Sequence, residues 1–213
     1  MPPPVPDAAL VSRRFSLHPD LMLLALVLLV LAAGWRIVSV HVPELSNFAP
    51  LMALTFCGAV YFRDKRLWLV PFVALLASDL YLDHYHASVF GQTWIWPSVA
   101  VRLVCFALAL PLGAFVAQRK NWLTLFGGAL AGSLFFYLAT NTDAWFRDPA
   151  YAKTAAGWLQ AMTIGRPEFP PTIWFFRNTL ASDLVFTGVF AAVIEFSALR
   201  GGKTTLFAKR AGA

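Results

Sequence analysis

Apolar residues run along this chain in six blocks divided by short polar or charged stretches. A membrane-crossing helix needs about 20 largely apolar residues, within a range of roughly 17–25. Residues 21–40, 48–62, 67–82, 96–117, 122–141 and 179–199 approach or reach that length. The second and third blocks are the shortest, and the charged run Arg63, Asp64, Lys65, Arg66 divides them. The pattern predicts an all-α integral membrane protein with six transmembrane helices. A segment over residues 1–20 precedes a membrane domain over 21–199, and a basic tail over 200–213 follows it. Arg13 and Arg14 resemble the basic start of a signal peptide. The apolar core behind them is long and no Ala-x-Ala-like site leads out of it, so a retained first helix is expected.

One connection is long. Residues 142–178 are rich in Trp and Pro and mixed in charge. Within them, residues 151–162 can form a short amphipathic helix lying on the membrane or capping the bundle. The Trp residues suit a headgroup-level aromatic belt. Connections longer than about 12–15 residues also tend to be lids or binding loops, so Trp145 and Trp174 are candidate lid or ligand contacts.

Charge then sets orientation. With six spans, both termini and two short loops share one side. That side carries Arg13, Arg14, Arg63, Lys65, Arg66, Arg119, Lys120, Arg200, Lys203, Lys209 and Arg210, out of 17 Lys and Arg in the chain. Residues 83–95, on the other side, carry none. The positive-inside rule makes both termini cytoplasmic in a multi-pass membrane protein. The formal net charge of +6 is therefore a topology signal. Split among short loops, it offers no continuous basic face for nucleic acid.

Composition agrees. The chain has 213 residues, 59% of them hydrophobic and only 13% charged, and its mean hydropathy is +0.64. Soluble domains run near half apolar and a quarter charged. Cys57 and Cys105 both lie in apolar blocks and read as unpaired packing thiols.

Ionisable residues inside the spans are costly in hydrocarbon and usually face a bundle interior or cavity. At a rise of about 1.5 Å per residue, Arg36 lies roughly 22 Å along the first span and Asp79 roughly 18 Å along the third. Arg102 and Asp183 enter early in spans that descend from outside, and Asn141 ends the fifth at the same face. Four charges from four helices thus fall in the outer half of the bilayer, two of each sign. They read either as structural pairs, Asp79–Arg102 or Asp183–Arg36, or as the floor of an outward-opening substrate cavity. Glu195, near the cytoplasmic end of the sixth span, is expected to reach the interface. His84 and His86 with Asp83 form a cluster too small for a metal site; no metal or other cofactor is expected.

Gly128-x-x-x-Gly132, overlapped by Gly127-x-x-x-Ala131, places small residues along one face of the fifth span for close helix packing. No His-Glu-x-x-His, Gly-x-Ser-x-Gly, Walker A or Rossmann glycine pattern occurs. Ser78-Asp79 and Ser182-Asp183 are adjacent helical residues that do not face one another. The chain does not read as an enzyme.

Further motifs are Asn47-Phe48-Ala49-Pro50, Leu76-Ala77-Ser78-Asp79, Phe135 to Asn141 with Trp145, residues 151–157, and Phe175-Phe176-Arg177-Asn178-Thr179-Leu180 with Asp183. Over residues 45–200 the chain resembles a family of largely uncharacterised bacterial inner-membrane proteins. More distantly it is similar to the substrate-binding S components of energy-coupling-factor vitamin transporters, nearest their solitary cobalamin-transporting type. That resemblance implies a six-helix, S-component-like bundle that binds a vitamin or a metal ion from outside. It acts either with an energy-coupling module or without one. In the cobalamin type a cysteine shortly after the position of Asp79 can ligand cobalt. Residues 84–96 here hold no cysteine, though His84 or His86 could offer an imidazole. Residues 21–40 also lack the Ala-x-x-x-Ala pair that docks the module.

The expected function is binding, and import, of a small solute such as cobalamin from the periplasmic side. Asn47, Asp79, Arg102, Asn141, Arg177, Asn178 and Asp183 are the candidate substrate-binding residues. The competing expectation is a non-transporting scaffold or assembly subunit whose intramembrane charges are structural.

Overall fold

The computed structural model describes residues 19–62, 64–91, 96–200 and 206. The predicted N-terminal segment, Arg63 and nearly all of the basic tail lie outside the described residues. Seven α-helices make up the fold: α1 (Pro19–Val40), α2 (Leu51–Tyr61), α3 (Val70–Phe90), α4 (Trp96–Gln118), α5 (Trp122–Arg147), α6 (Ala155–Met162) and α7 (Thr172–Arg200). No strand occurs among the described residues.

Among the described residues, four stretches are long and apolar enough to cross a membrane: Lys65–Val89, Pro97–Gln118, Trp122–Arg147 and Thr172–Phe196. They mark a multi-pass membrane protein. α1 runs for 22 residues; the apolar part of it that is fully described, Val30–Val40, is shorter than a span.

α2 departs from the expected span over 48–62. It has 11 residues, about 16 Å of helix, which falls short of the roughly 30 Å hydrocarbon thickness. Its position explains how so short an apolar helix survives. α2 packs against α3, α4, α5 and α7, so Leu51, Met52, Ala53, Thr55, Phe56, Cys57, Gly58, Ala59 and Val60 are all buried. A helix apolar on every side belongs at the centre of the bundle, and α2 meets protein where the outer helices meet lipid. Those helices carry exposed Val104, Leu108, Phe115, Val185, Val189 and Val193.

Close packing on α2 depends on glycine at two places. A Cβ at Gly113 of α4 would lie 2.6 Å from the Phe56 carbonyl oxygen and 2.8 Å from Ala59 Cβ. At Gly128 of α5 it would lie 2.7 Å from the Phe56 ring. The Gly128 member of the small-residue motif therefore seats α5 on the centre of its own bundle. Gly127 meets nothing within 4 Å.

The long connection folds into a cap. Thr154 caps α6 by accepting the Gly157 N–H at 3.2 Å, and the expected short helix forms as Ala155–Met162. The Tyr137 hydroxyl donates to the Met162 carbonyl, and the Trp158 indole donates to Thr142 Oγ1 at 3.1 Å. The Trp145 indole donates to the Ala152 carbonyl at 2.9 Å. α3, α5 and α7 each run beyond their apolar blocks toward this end, because polar residues can continue a helix outside hydrocarbon.

At the opposite end Glu195 does not reach the surface. It is 2% exposed, with Lys120 Nζ 2.6 Å from Oε1 and the Leu206 N–H donating to Oε2 at 2.8 Å. Burial favours such a carboxylate only when a cation and donors compensate it, and Lys120 and Leu206 provide both.

Gly113→Val should drive α4 off α2 and lower unfolding stability in detergent by about 1–3 kcal/mol, the range for overpacking a core. Gly127→Ala should cause no loss. Thermal melts of the two variants check the asymmetry.

Candidate functional site

Between the α6 end of the bundle and α2 lies a cavity of about 690 Å³. Its deeper wall is charged. Asp79 of α3 is 1% exposed and sits between two guanidiniums from neighbouring helices. Arg36 of α1 donates through Nη1 to Asp79 Oδ1 and to Ser78 Oγ at 2.7 Å. Arg102 of α4 donates to Asp79 Oδ2 from Nε at 3.1 Å and from Nη2 at 2.9 Å. The carboxylate is closed off while the arginine side chains keep 18% and 23% of their surface exposed. Charge-assisted bonds of this kind are the strong ones. They cross-link three helices and leave guanidinium surface toward the cavity.

Asp183 of α7 forms the second part of the floor and is also 1% exposed. Ser133 Oγ donates to its Oδ2 at 2.6 Å, and the Ala53 N–H donates to its Oδ1 at 3.2 Å. Among the described residues no cation pairs with it. The expected alternative pair Asp183–Arg36 does not form, because Asp79 takes both arginines.

Asn47, Asp79, Arg102, Asp183 and His86 line the cavity, so the structure brings these five candidates together. Asn47 sits at its rim with φ 62°, a left-handed conformation that Asn tolerates better than most residues. Asn141, Arg177 and Asn178 do not line it. The Asn141 side chain turns back to donate to the Tyr137 carbonyl at 2.8 Å. Asn178 is fully engaged: Nδ2 donates to the Glu44 carbonyl at 2.8 Å and the Ser46 carbonyl at 2.9 Å. Its Oδ1 accepts from Arg177 at 3.3 Å. With Thr179 and Ser182, which donate to the Asn47 and Ala49 carbonyls, Asn178 ties the turn before α2 to α7.

His84 is exposed and also outside the lining. Trp145 braces the α5–α6 connection, and Trp174 is 54% exposed with the Arg177 guanidinium 5.9 Å from its ring centre. The part of the cap that reaches the cavity is instead Glu168, Phe169 and Pro170, with Phe175 at the start of α7. A hydrogen bond from the Glu168 backbone N–H, and then Arg166, hold the Glu168 carboxyl below the usual carboxylate range. Glu168 is therefore charged at neutral pH.

Several lining residues were not singled out in the sequence: Ser39, His41, Ser98 and Asp143. Asp83 and His86, read in the sequence as one cluster with His84, follow Asp79 at helical spacing on α3 and line the cavity with it. Asp83 Oδ2 is buried without a hydrogen-bond partner among the described residues. Among them, no three His, Cys, Asp or Glu side chains gather as a metal site.

Over residues 15–204 the chain matches a family of unknown function, DUF6580, and it belongs to that family. No curated protein and no solved structure matches it.

The two polar clusters should separate by mutation. Asp79→Asn leaves two guanidiniums facing each other and should cost about 3–5 kcal/mol, as for a broken buried pair. Asn178→Ala strands two backbone carbonyls at a cost of about 1–3 kcal/mol. Denaturant titration in detergent reads both losses.

Proposed function

We propose that this member of the DUF6580 family binds a small solute in the cavity from the extracytoplasmic side of the bacterial inner membrane and carries it inward. The observation that supports this most directly is the cavity itself. Its roughly 690 Å³ lie within the range of about 300–1,000 Å³ that suits a drug-sized ligand. Arg36 and Arg102 turn exposed guanidinium surface toward it, and Phe106, Phe136, Phe169 and Phe175 add aromatic faces. A ring-bearing solute with a carboxylate or phosphate fits that combination, which includes the vitamin class implied by the S-component resemblance.

Orientation rests on six crossings, with short α2 crossing inside the bundle rather than against lipid. With both termini cytoplasmic by the positive-inside rule, the α6 cap and the cavity mouth face outward. Cobalamin stays within the proposal on narrower support. Cys57 and Cys105 are buried in the core and do not line the cavity, so a cobalt ligand there would have to be His41 or His86. A corrinoid exceeds drug size and would need the Glu168–Phe169–Pro170 strip to open.

The scaffold reading draws on one observation, that Asp79 is saturated by its two arginines as a structural clamp would be. Thermal unfolding of the purified full chain against vitamins, including cobalamin, and transition-metal ions separates the two. A solute present at about a hundred times its Kd adds about 2.7 kcal/mol to folded stability, and at least one should raise the melting temperature. A melting temperature unmoved across the whole panel favours the scaffold.

A further inference from the structure

Below the cavity floor a polar stripe continues through the bundle. Thr179, Asp183, Thr187 and Glu195 sit at every fourth position of α7, with apolar Ala191 between the last two, which keeps them on one face. Asp183 is 1% exposed, Thr187 and Ala191 0%, and Glu195 2%. From Asp183 to Glu195 the helix rises about 18 Å, more than half of a hydrocarbon layer of roughly 30 Å.

α2 presents a matching stripe. The Ala53 N–H donates to Asp183 at 3.2 Å, the Cys57 thiol lies beside Thr187, and the Tyr61 hydroxyl faces the Glu195 carboxylate. Positions 53, 57 and 61 are again four apart. Thr187 Oγ1 is buried without a hydrogen-bond partner among the described residues; only a thiol, a weak donor, is beside it. An orphaned hydroxyl is costly in any interior, and a buried one calls for an explanation such as a task or a transient water.

The end groups differ in kind. Facing Asp183 are Ser133 from α5 and Ala53 and Cys57 from α2, none of them cationic, with Thr187 one turn along α7. The charged and titratable groups that line the cavity with it are Arg36, His41, Asp79, Asp83, His86, Arg102, Asp143 and Glu168. Facing Glu195 are Lys120, Tyr61 and the Leu206 N–H. The Lys120 side chain is 31% exposed, which opens that end to the surface.

We propose that this paired stripe conducts protons between the cavity and the Glu195 end of the bundle. Ionisable residues inside a membrane bundle mark substrate pathways or proton relays, and Asp183 has no cation among the described residues to fix its charge. A proton from the cavity binds the Asp183 carboxylate. It passes to the Thr187 oxygen, directly or through a water, as Thr187 releases its own proton onward. A transient water beside Cys57 carries it on to Tyr61, which repeats the exchange, and Glu195 receives the proton and yields it to solvent beside Lys120. Each hydroxyl gains one proton and loses one, only O–H bonds change, and no co-reactant is consumed. Coupling of this movement to solute import rests on the proposed solute binding; the conduction itself does not.

The test is therefore made without solute. The full chain is reconstituted in phosphatidylethanolamine–phosphatidylglycerol vesicles that hold a pH-sensitive dye, and valinomycin sets an inside-negative potassium potential. Vesicles with the wild-type chain should acidify faster than protein-free vesicles. Asp183→Asn and Thr187→Val should both return the rate to the protein-free level. Because the Thr187 hydroxyl has no partner beyond the weak Cys57 thiol, Thr187→Val should keep or raise the melting temperature, so its loss of conduction is not a loss of fold. Wild-type vesicles no faster than protein-free ones, or Thr187→Val vesicles as fast as wild type, overturn the path. Either result leaves the solute reading to its own melting test.

Discussion

The carboxylate of Asp79 fixes the geometry of the cavity end of the molecule. A charge buried in a membrane bundle persists only where partners replace the water it has lost, and here the partners come from α1 and α4. Arg36 and Arg102 each bring a guanidinium to one oxygen of the same carboxylate, so α1, α3 and α4 are held at one depth. Apolar side chains pack without strong directional preference, and lipid offers helices little reason to leave it for one another. The ion triad therefore supplies the register that hydrophobic contact alone would leave loose. It also sets the chemistry of the cavity, because satisfying one carboxylate with two arginines leaves guanidinium surface on the open side.

The second constraint is α2. Its brevity confines it to the interior, and its position there requires α4 and α5 to approach closely, which Gly113 and Gly128 permit. Packing on α2 and α5 then buries Asp183 and aligns the α2 backbone and side chains with the α7 stripe. One short apolar helix thus serves as packing core, as hydrogen-bond donor to the cavity floor and as one rail of the polar ladder. The turn before it is pinned from α7 by Asn178, Thr179 and Ser182. The Asn-Phe-Ala-Pro and Phe-Arg-Asn-Thr motifs are accordingly two halves of one joint.

The helical class and most of the element positions were legible in the run of apolar residues, since hydrocarbon thickness imposes a length that sequence displays directly. That Arg36, Asp79, Arg102 and Asp183 would meet at one end of the bundle, where they line the same cavity, was legible for the same reason: rise per residue converts position into height. Azimuth was not. Which way a side chain points around its helix depends on neighbours that sequence alone leaves open, so Asn141, Arg177 and Asn178 lie at the expected end yet turn away from the cavity. The same gap hid the pairing, and Asp183–Arg36 looked as good as Asp79–Arg36. α2 read as a lipid-facing span because an apolar helix surrounded by protein and one surrounded by lipid have the same composition. Glu195 was misplaced because its partners come from the α4–α5 turn and from Leu206, whose approach nothing in α7 announces.

Asp79 and Asp183 line one cavity and are each only 1% exposed, yet their surroundings differ in kind. Asp79 is locked by two fixed cations, and any change in its charge would release three helices. Asp183 has hydrogen-bond donors and no cation, so its charge can change without undoing an ion pair. It also belongs to two structures at once, lining the cavity above and heading the α7 stripe below. Under the proposed solute binding and proton conduction, a proton on Asp183 and a solute in the cavity would meet at the same side chain, and whatever one did to the affinity of the other would be returned in equal measure.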